Sequence, residues 1–447
     1  MKRIFAIMCA LFVVFAVCLT GCTAKPDPTS VYNDGIIGEN KHYDRKKRES
    51  VYPYESDALE EAVAADKTDA VDGWHYEHTE NNIDPQAGLL TAGEWKDRDN
   101  LTEWFEKSAD EKWIAELSSR GFYSANVFPV HIVFNGSDVY NIGVNLLDND
   151  NNVLYTAVTD VNGMAYLFCP DDKLGDLKIS VGETIRLVTE ADLGIVSEID
   201  SNTASSELKE LDLMLMIDTT GSMGDELEYL KAELADVVNR VAEDTAFAIR
   251  VSVNFYRDEG DEYVVKYFDF RDDVKECVDQ MSEQYAYGGG DYPEAVHTAL
   301  DNAINGHQWN EDAIKLCFLV LDAPPHTADE IQDVNSSLME SILKAAELSI
   351  RIIPVASSGV DLPTEIDLRS FAIMTGGTYI FLTNDSGIGN DHLEASVGEF
   401  TVEPLNDCMV RIINEYCGVQ STVSDEETTV EPETQETTTE NPNYPNP

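Results

Sequence analysis

Positive charge is what this chain has least of. It carries 30 Lys and Arg against 84 Asp and Glu, a formal net charge of −54 with a pI near 4.2. A surface this acidic repels polyanions, which excludes nucleic acid and anionic lipid headgroups as partners and favours cations and cation-rich surroundings. No Cys-x-x-Cys is present, so zinc-ribbon and thioredoxin-type chemistry have no ligand pattern to rest on. His-Glu-x-x-His is absent, and so is the lysine of a phosphate-binding Gly-x-x-x-x-Gly-Lys loop.

What is present begins with an address. Lys2-Arg3 is a short basic start and Ile4 to Leu19 an apolar stretch too short for a comfortable membrane span. Leu19-Thr20-Gly21-Cys22 follows and resembles the bacterial lipobox. The resemblance implies a signal peptide over 1–21, a lipid on Cys22, and a mature protein anchored outside the cytoplasm with no spanning helix. Of eight cysteines, Cys9 and Cys18 leave with the signal and Cys22 is acylated. Cys169, Cys277, Cys317, Cys408 and Cys417 remain, an odd number that leaves at least one unpaired in a monomer. Cys277–Cys317 and Cys169–Cys417 bridges stay open.

Length allows two or three domains. Residues 22–83 are polar and short of apolar periodicity and read as a tether. Residues 84–120 form a short helical segment: Thr91-Ala92-Gly93-Glu94-Trp95 mixes turn formers with an aromatic, and an amphipathic helix is expected around Leu101 to Leu117. A packing or docking role is expected of this segment. Residues 121–198 alternate short strand-like runs with Asn/Asp/Gly turns, the signature of a small β-sandwich. The Ala157 to Ala165 stretch, Ala-x-Thr-Asp-x-x-Gly-x-Ala, resembles carboxypeptidase-regulatory-like and collagen-adhesin B-type modules, which implies a spacer. Asp148 to Asn152 lacks the glycine and distal glutamate of a calcium loop and reads as a hairpin turn. Residues 419–447 are rich in Thr, Glu and Pro, with no Lys or Arg, and read as a disordered tail.

Residues 209–418 alternate strand and helix. Strands are expected at 211–217, 247–256, 263–268, 314–321, 350–356 and 378–382. Helices are expected at 225–242, 271–282, 292–305, 329–348, 362–373 and 395–416. The fold class is therefore α/β, a doubly wound, mainly parallel sheet with helices on both faces. Asp218-Thr219-Thr220-Gly221-Ser222 directly follows the apolar run Leu211 to Ile217, at a strand end, where open α/β sheets bind ligands. A carboxylate and two hydroxyls at alternate positions on one turn suit a hard divalent cation.

These residues resemble the metal-ion-dependent adhesion site of a von Willebrand factor A (VWA) domain, Asp-x-Ser/Thr-x-Ser. Asp218, Thr220 and Ser222 match its first loop. Asp322, at the end of the run Cys317 to Leu321, matches its third-loop aspartate, and Gly376-Gly377-Thr378-Tyr379 also matches. The second loop departs from the usual threonine. Gly288-Gly289-Gly290-Asp291-Tyr292-Pro293-Glu294-Ala295, with Asp322-Ala323-Pro324-Pro325-His326, resembles the hemicentin and alpha-kinase-associated subgroup, which implies no kinase activity in the absence of a kinase domain. Asp291 then stands in the second-loop position, with Thr298 a less favoured substitute.

The resemblance implies a metal site of Asp218, Thr220, Ser222, Asp291 and Asp322. Thr220, Ser222 and Asp291 coordinate directly, Asp218 and Asp322 act through water, and one position stays open to a partner's oxygen. Mg²⁺ is the expected cation, with Mn²⁺ or Ca²⁺ as alternatives. A third carboxylate tightens cation binding but weakens the attraction for an acidic ligand. The opposing reading is a metal-free turn in which Asp218 caps a helix.

The expected function is a lipid-anchored surface binding or adhesion protein engaging a protein or glycan ligand through the metal. A metal-dependent hydrolase using Asp218/Asp322 or Ser222, and a scaffold assembling envelope proteins, are the alternatives. The enzyme reading lacks a complete catalytic set: Thr220 breaks the Gly-x-Ser-x-Gly elbow, and His297 and His326 read as helix-surface or packing residues. Cys22→Ser is expected to move the protein from the membrane pellet to the soluble fraction. Membrane retention of that variant in fractionation would remove the anchor assignment.

Overall fold

In a computed structural model, residues 84–205, 208–244 and 247–419 are described. The signal peptide, Cys22, the tether and the acidic tail lie outside the described residues. Strand β1 (Thr91–Trp95) and helices α1 (Leu101–Ser108) and α2 (Glu111–Arg120) come first. A β module follows: β2 (Val127–Phe134), β3 (Ser137–Asp138), β4 (Gly143–Leu147), β5 (Val153–Val158), β6 (Met164–Phe168), β7 (Leu177–Val181), β8 (Thr184–Val188) and β9 (Ser197–Asp200). The α/β part runs β10 (Glu210–Asp218), α3 (Leu227–Asp244), β11 (Ala248–Tyr256), β12 (Val265–Lys266), α4 (Val274–Ser282), α5 (Val296–Asn305), β13 (Ala313–Leu321) and α6 (Val334–Leu348). It continues through β14 (Ile350–Ala356), α7 (Leu362–Thr375), β15 (Tyr379–Leu382), β16 (Glu403–Pro404) and α8 (Leu405–Tyr416).

The main sheet has eight strands in the order β12-β11-β10-β13-β14-β15-β1-β16. The pairs β11–β10, β10–β13, β13–β14 and β14–β15 are parallel; β12, β1 and β16 pair antiparallel. Side chains alternate across a strand, and β10 shows the consequence. Leu211, Leu213, Leu215 and Ile217 pack on one face with Leu230, Leu234, Val237 and Val238 of α3. Met214 and Met216 pack on the other with Val296 of α5, Leu338 of α6 and Phe371 of α7. Helices thus cover both faces, as a parallel sheet buried on two sides requires.

Thr91–Trp95 corrects the sequence reading, which placed it in a helical segment outside the α/β domain. It is a strand of the main sheet, with Ala92 opposite Leu382 and Trp95 opposite Tyr379, and with β16 on its other edge. Gly93 is required there: a Cβ would lie 2.6 Å from the Phe381 ring and 2.7 Å from that of Phe400. The backbone before the strand is held by Glu233 of α3, which accepts the N–H groups of Gly88, Leu89 and Leu90 at 2.7–2.9 Å. The expected single helix from Leu101 to Leu117 is two, because Asp110 starts a new one by accepting the Lys112 N–H.

A buried ion pair fixes the segment that follows β1. Arg369 of α7, fully buried, meets Asp97 at 2.5 Å and Glu365 at 3.1 Å, and its guanidinium lies 4.9 Å from the Trp113 ring and 5.6 Å from that of Trp104. Burial pushes the Asp97 carboxyl up, and the Arg369 charge opposes that.

The module is two four-stranded sheets, β3-β2-β6 with β9 beside β2, and β5-β4-β7-β8. Val130 and Ile132 of the first and Val144, Leu146 and Ile179 of the second share one apolar core, which is continuous with that under α6 and α7. Asp148 closes its own turn, accepting from the Asp150 and Asn152 backbone and from the Asn152 side chain. All five described cysteines are buried and unpaired, so neither the Cys277–Cys317 nor the Cys169–Cys417 bridge forms. No helix among the described residues is long and apolar enough to cross a membrane.

Removing one partner of a buried, hydrogen-bonded ion pair typically costs about 3–5 kcal/mol. Asp97→Ala is therefore expected to lower stability by about 3 kcal/mol or more, read as a shift in the urea midpoint. A piece starting at residue 209, which lacks β1, should unfold at far lower denaturant than the full chain. Equal midpoints would mean that β1 is dispensable.

Candidate metal centre

Asp218 is the last residue of β10, opposite Tyr256 of β11. The turn after it is pinned to β11: the Thr219 N–H and hydroxyl both reach the Tyr256 carbonyl at 3.0 Å. One carboxylate oxygen of Asp218, Oδ1, accepts the Thr220 N–H at 2.8 Å and the Thr220 hydroxyl at 2.7 Å. These bonds close the turn locally and cap no helix: the residue before the 3-10 turn Gly221–Asp225 is Thr220, and no side chain caps it. Oδ2 is buried and has no hydrogen-bond partner. Ser222 Oγ lies 3.2 Å from Thr220 Oγ1 at the exposed lip of the turn.

Asp322 follows β13, which pairs parallel with β10, so the two aspartates leave neighbouring strand ends. It is buried, and its Oδ1 is also without a partner. Burial pushes its carboxyl well up, the Asp218 charge adds to that, and the Ser222 hydroxyl opposes it. Asp218 itself is pushed up to about 6, chiefly by burial, against the two bonds from Thr220 and the neighbouring Tyr256 hydroxyl.

The second-loop residue that the structure brings to this group is Glu294, not Asp291. Asp291 is exposed at the loop surface, and no hydrogen bond or ion pair among the described residues joins it to Asp218, Thr220 or Asp322. Thr298 is turned to Glu259, which accepts its hydroxyl at 3.1 Å. Glu294 is 2% exposed. Its N–H donates to the Pro324 carbonyl at 2.9 Å, tying the second loop to the third. Its Oε2 is buried and unpartnered. Burial first, then the charges of Asp218, Asp258 and Asp322, push its carboxyl up to about 10.

The close approach depends on two glycines. Gly288 and Gly289 have φ of +84° and +72°, and a Cβ on Gly289 would lie 2.8 Å from Glu294 Oε1 and 3.4 Å from Thr220 Cβ. The Gly288 carbonyl accepts the Gly221 N–H at 3.1 Å and the Thr219 carbonyl accepts the Tyr287 N–H at 3.0 Å, so the loop is latched onto the turn.

Around this group, Asp225 accepts the Asn390 backbone and side-chain N–H at 2.8 and 2.6 Å. Glu226 is 2.8 Å from His392 and accepts the Ser358 N–H. His326 is not a loop-packing residue alone: it is buried 2.6 Å from Asp258, with His297 stacked edge-on at 6.2 Å. No contact among the described residues joins either imidazole to Ser222.

Three buried carboxylates with three orphaned oxygens, beside two hydroxyls, form a hard-oxygen donor set that fits a divalent cation. No three His, Cys, Asp or Glu side chains among the described residues meet at metal-ligand spacing, so the hydroxyls have to supply part of any coordination. Glu294 had one signal in the sequence: a carboxylate between Pro293 and the apolar start of a helix, in a loop already rich in glycine.

A family model described as the von Willebrand factor A domain matches residues 212–384. The chain is 29% identical over 126 residues to R811 of Acanthamoeba polyphaga mimivirus, described as an ariadne-like RING finger protein. That match covers 28% of this chain and only 12% of the viral protein's length. Among solved structures, BatB from Bacteroides thetaiotaomicron is similar at a TM-score of 0.32 and 10% identity, over 46% of this chain and 99% of BatB. With the strand-end turn, the parallel sheet and the two covered faces in place, residues 212–384 form a von Willebrand factor A domain.

Proposed function

We propose that the VWA domain is a divalent-cation-dependent binding module of a lipid-anchored surface protein, engaging a protein or glycan ligand. The observation that carries this reading is the set of partnerless buried oxygens, Asp218 Oδ2, Asp322 Oδ1 and Glu294 Oε2. Leaving a buried polar group unpaired costs about 1–3 kcal/mol, more for a charged one, and here three stand together. Thr220, Ser222 and Glu294 would hold the cation directly, with Asp218 and Asp322 behind them; Mg²⁺ fits best, then Mn²⁺ and Ca²⁺. When bound, the cation supplies the positive charge that the cluster lacks and a coordination position for a ligand oxygen.

The chain's own residues prepare that site. Asp218 accepts the Thr220 hydroxyl proton, which leaves the Thr220 oxygen lone pairs facing the cluster. Tyr285 and Tyr287, 58% and 66% exposed, stand beside the latched second loop and cover the Arg257 guanidinium. Exposed tyrosines around a polar centre are the residues that anchor partners at interfaces. Three carboxylates keep the site from attracting a strongly acidic ligand, so a neutral oxygen, a carbonyl or a sugar hydroxyl, suits it better.

The test is thermal unfolding of the full chain in EDTA and in Mg²⁺. A cation at 100 times its Kd adds about 2.7 kcal/mol, a rise of about 5 °C in a domain of this size. Glu294→Gln and Asp322→Asn should each unfold at a higher temperature than wild type in EDTA at neutral pH, because the neutral amide no longer has to take up a proton to be buried, and should lose the Mg²⁺-dependent rise. Asp291→Asn should keep the full rise. A wild-type melting temperature indifferent to EDTA overturns the metal reading. Loss of the rise in Asp291→Asn restores Asp291 to the site. Affinity capture with Mg²⁺ and elution with EDTA then identifies the ligand.

A further inference from the structure

At the opposite end of the sheet, a cavity of about 350 Å³ opens between the β module and the starts of the parallel strands. Ile314 and Lys315 of β13, Arg351 of β14, Tyr416 at the end of α8, and Asp160 and Val161 of the module line it. In a chain with so few cations, two of them are buried here: Lys315 is 6% and Arg351 8% exposed. Neither has a carboxylate within ion-pair distance among the described residues. Lys315 donates to the Glu311 and Ala313 carbonyls at 3.3 and 3.2 Å. Arg351 donates to Thr375 and Val158 carbonyls at 3.0 and 2.8 Å. Arg98 stands behind Tyr416, its guanidinium 5.2 Å from the ring.

Opposing charge is limited. Asp160 is the one carboxylate of the lining, and it is engaged by the Asn162 and Met164 N–H groups of its own turn. Asp212, Asp312 and Glu311 also act on Lys315, and Asp212 is itself held by Arg250 at 2.6 Å. Helices α6, α7 and α8 end here, and each C-terminus contributes about half a negative charge. Asp99 stands 4.0 Å from Arg98, so Lys315 and Arg351 are the two cations here that no carboxylate pairs directly. Burial pushes the Lys315 ammonium and the Arg351 guanidinium down, the cost of holding cations out of water without an anion. The remaining wall is apolar and aromatic, with Ile314, Val161, Phe247, Tyr140 and Tyr416.

We propose that this cavity binds a small organic monocarboxylate with an apolar body, its carboxylate between Lys315 and Arg351 and its apolar part against Ile314, Val161 and Tyr416. The size falls in the range of small-molecule sites, and the pattern of an apolar wall with a few fixed polar groups is theirs too. The apolar and aromatic wall selects an organic acid over inorganic phosphate. The site is distinct from the metal centre and does not depend on it.

The test is calorimetric titration of the full chain, in EDTA, with N-acetylphenylalanine, with its neutral amide and with inorganic phosphate. EDTA separates this site from a carboxylate bound to a metal at the other end. Saturable binding of the acid, at least tenfold tighter than of the amide or of phosphate, is expected. Lys315→Met should weaken it at least tenfold, Val161→Trp should block it by filling the cavity, and Glu294→Gln should leave it unchanged. Val161 sits on a surface turn, so its variant decides the matter where Lys315→Met does not fold. Equal binding of acid and amide, no saturable binding in EDTA, preference for phosphate, or undiminished binding by the folded variants overturns the proposal.

Discussion

The structure depends on three carboxylates being held together out of water, Asp218 and Asp322 at the ends of two neighbouring parallel strands and Glu294 on the loop before α5. Asp218 and Asp322 would separate if they could, because the Asp218 charge raises the proton affinity of Asp322, and Asp258 raises that of Asp218. What prevents separation is backbone: the β10–β13 ladder, the Thr219 latch on Tyr256, and the Glu294 N–H on Pro324. The repulsion is thus borne by the most buried part of the sheet, whose apolar cores on both faces offset it. Helix N-termini help: α3 starts just past Ser222, α5 just past Glu294, and their partial positive charge favours carboxylates at this end.

That core is completed from a distance. β1 lies more than a hundred residues before β10 in the chain, with the whole β module inserted between, yet it fills the sheet between β15 and β16. Glu233 takes three N–H groups ahead of it and Arg369 takes Asp97 behind it, both from helices of the α/β part. The module is therefore an insertion within one fold, and its core runs on under α6 and α7. Hydrogen bonds tie the α/β part to what precedes it: Tyr155 of the module donates its hydroxyl to the Met374 carbonyl, and Arg120 of α2 donates to His326 and Pro325 carbonyls in the loop after Asp322.

Most of the fold was legible because its signals are local. The apolar run Leu211 to Ile217 is a buried parallel strand, and expected strands at 314–321 and 350–356 differ from those observed by at most one residue. β1 was not legible, because five residues with a central glycine carry no strand signal of their own; Gly93 is there to admit two phenylalanine rings from elsewhere. The site divides the same way. Asp218, Thr220, Ser222 and Asp322 sit at the ends of readable strands, and the structure brings them together. Asp291 and Glu294 lie on one irregular loop, where spacing does not say which carboxylate turns inward. That choice is made by Gly289 leaving room for Glu294 and by the Pro324 carbonyl, contacts far apart in sequence.

The two ends of the sheet are opposite in sign, and the cause is the fold itself. In a parallel sheet crossed by helices, every crossover helix points its N-terminus to the strand C-terminal end, so partial positive charge gathers there and partial negative charge at the other end. Carboxylates at the first end and Lys315, Arg351 and Arg98 at the second each follow that field. Arg351 on the Thr375 carbonyl and Arg98 on the Gly376 carbonyl are helix C-terminal partners in this sense. The field accounts for the sign of each cluster but not for its size. Half a charge per helix offsets only part of one carboxylate or one cation, and both clusters hold several such groups that could have been exposed instead. Titratable groups of like sign kept buried at each end are what an ion of opposite sign would relieve, a divalent cation at one and a carboxylate at the other.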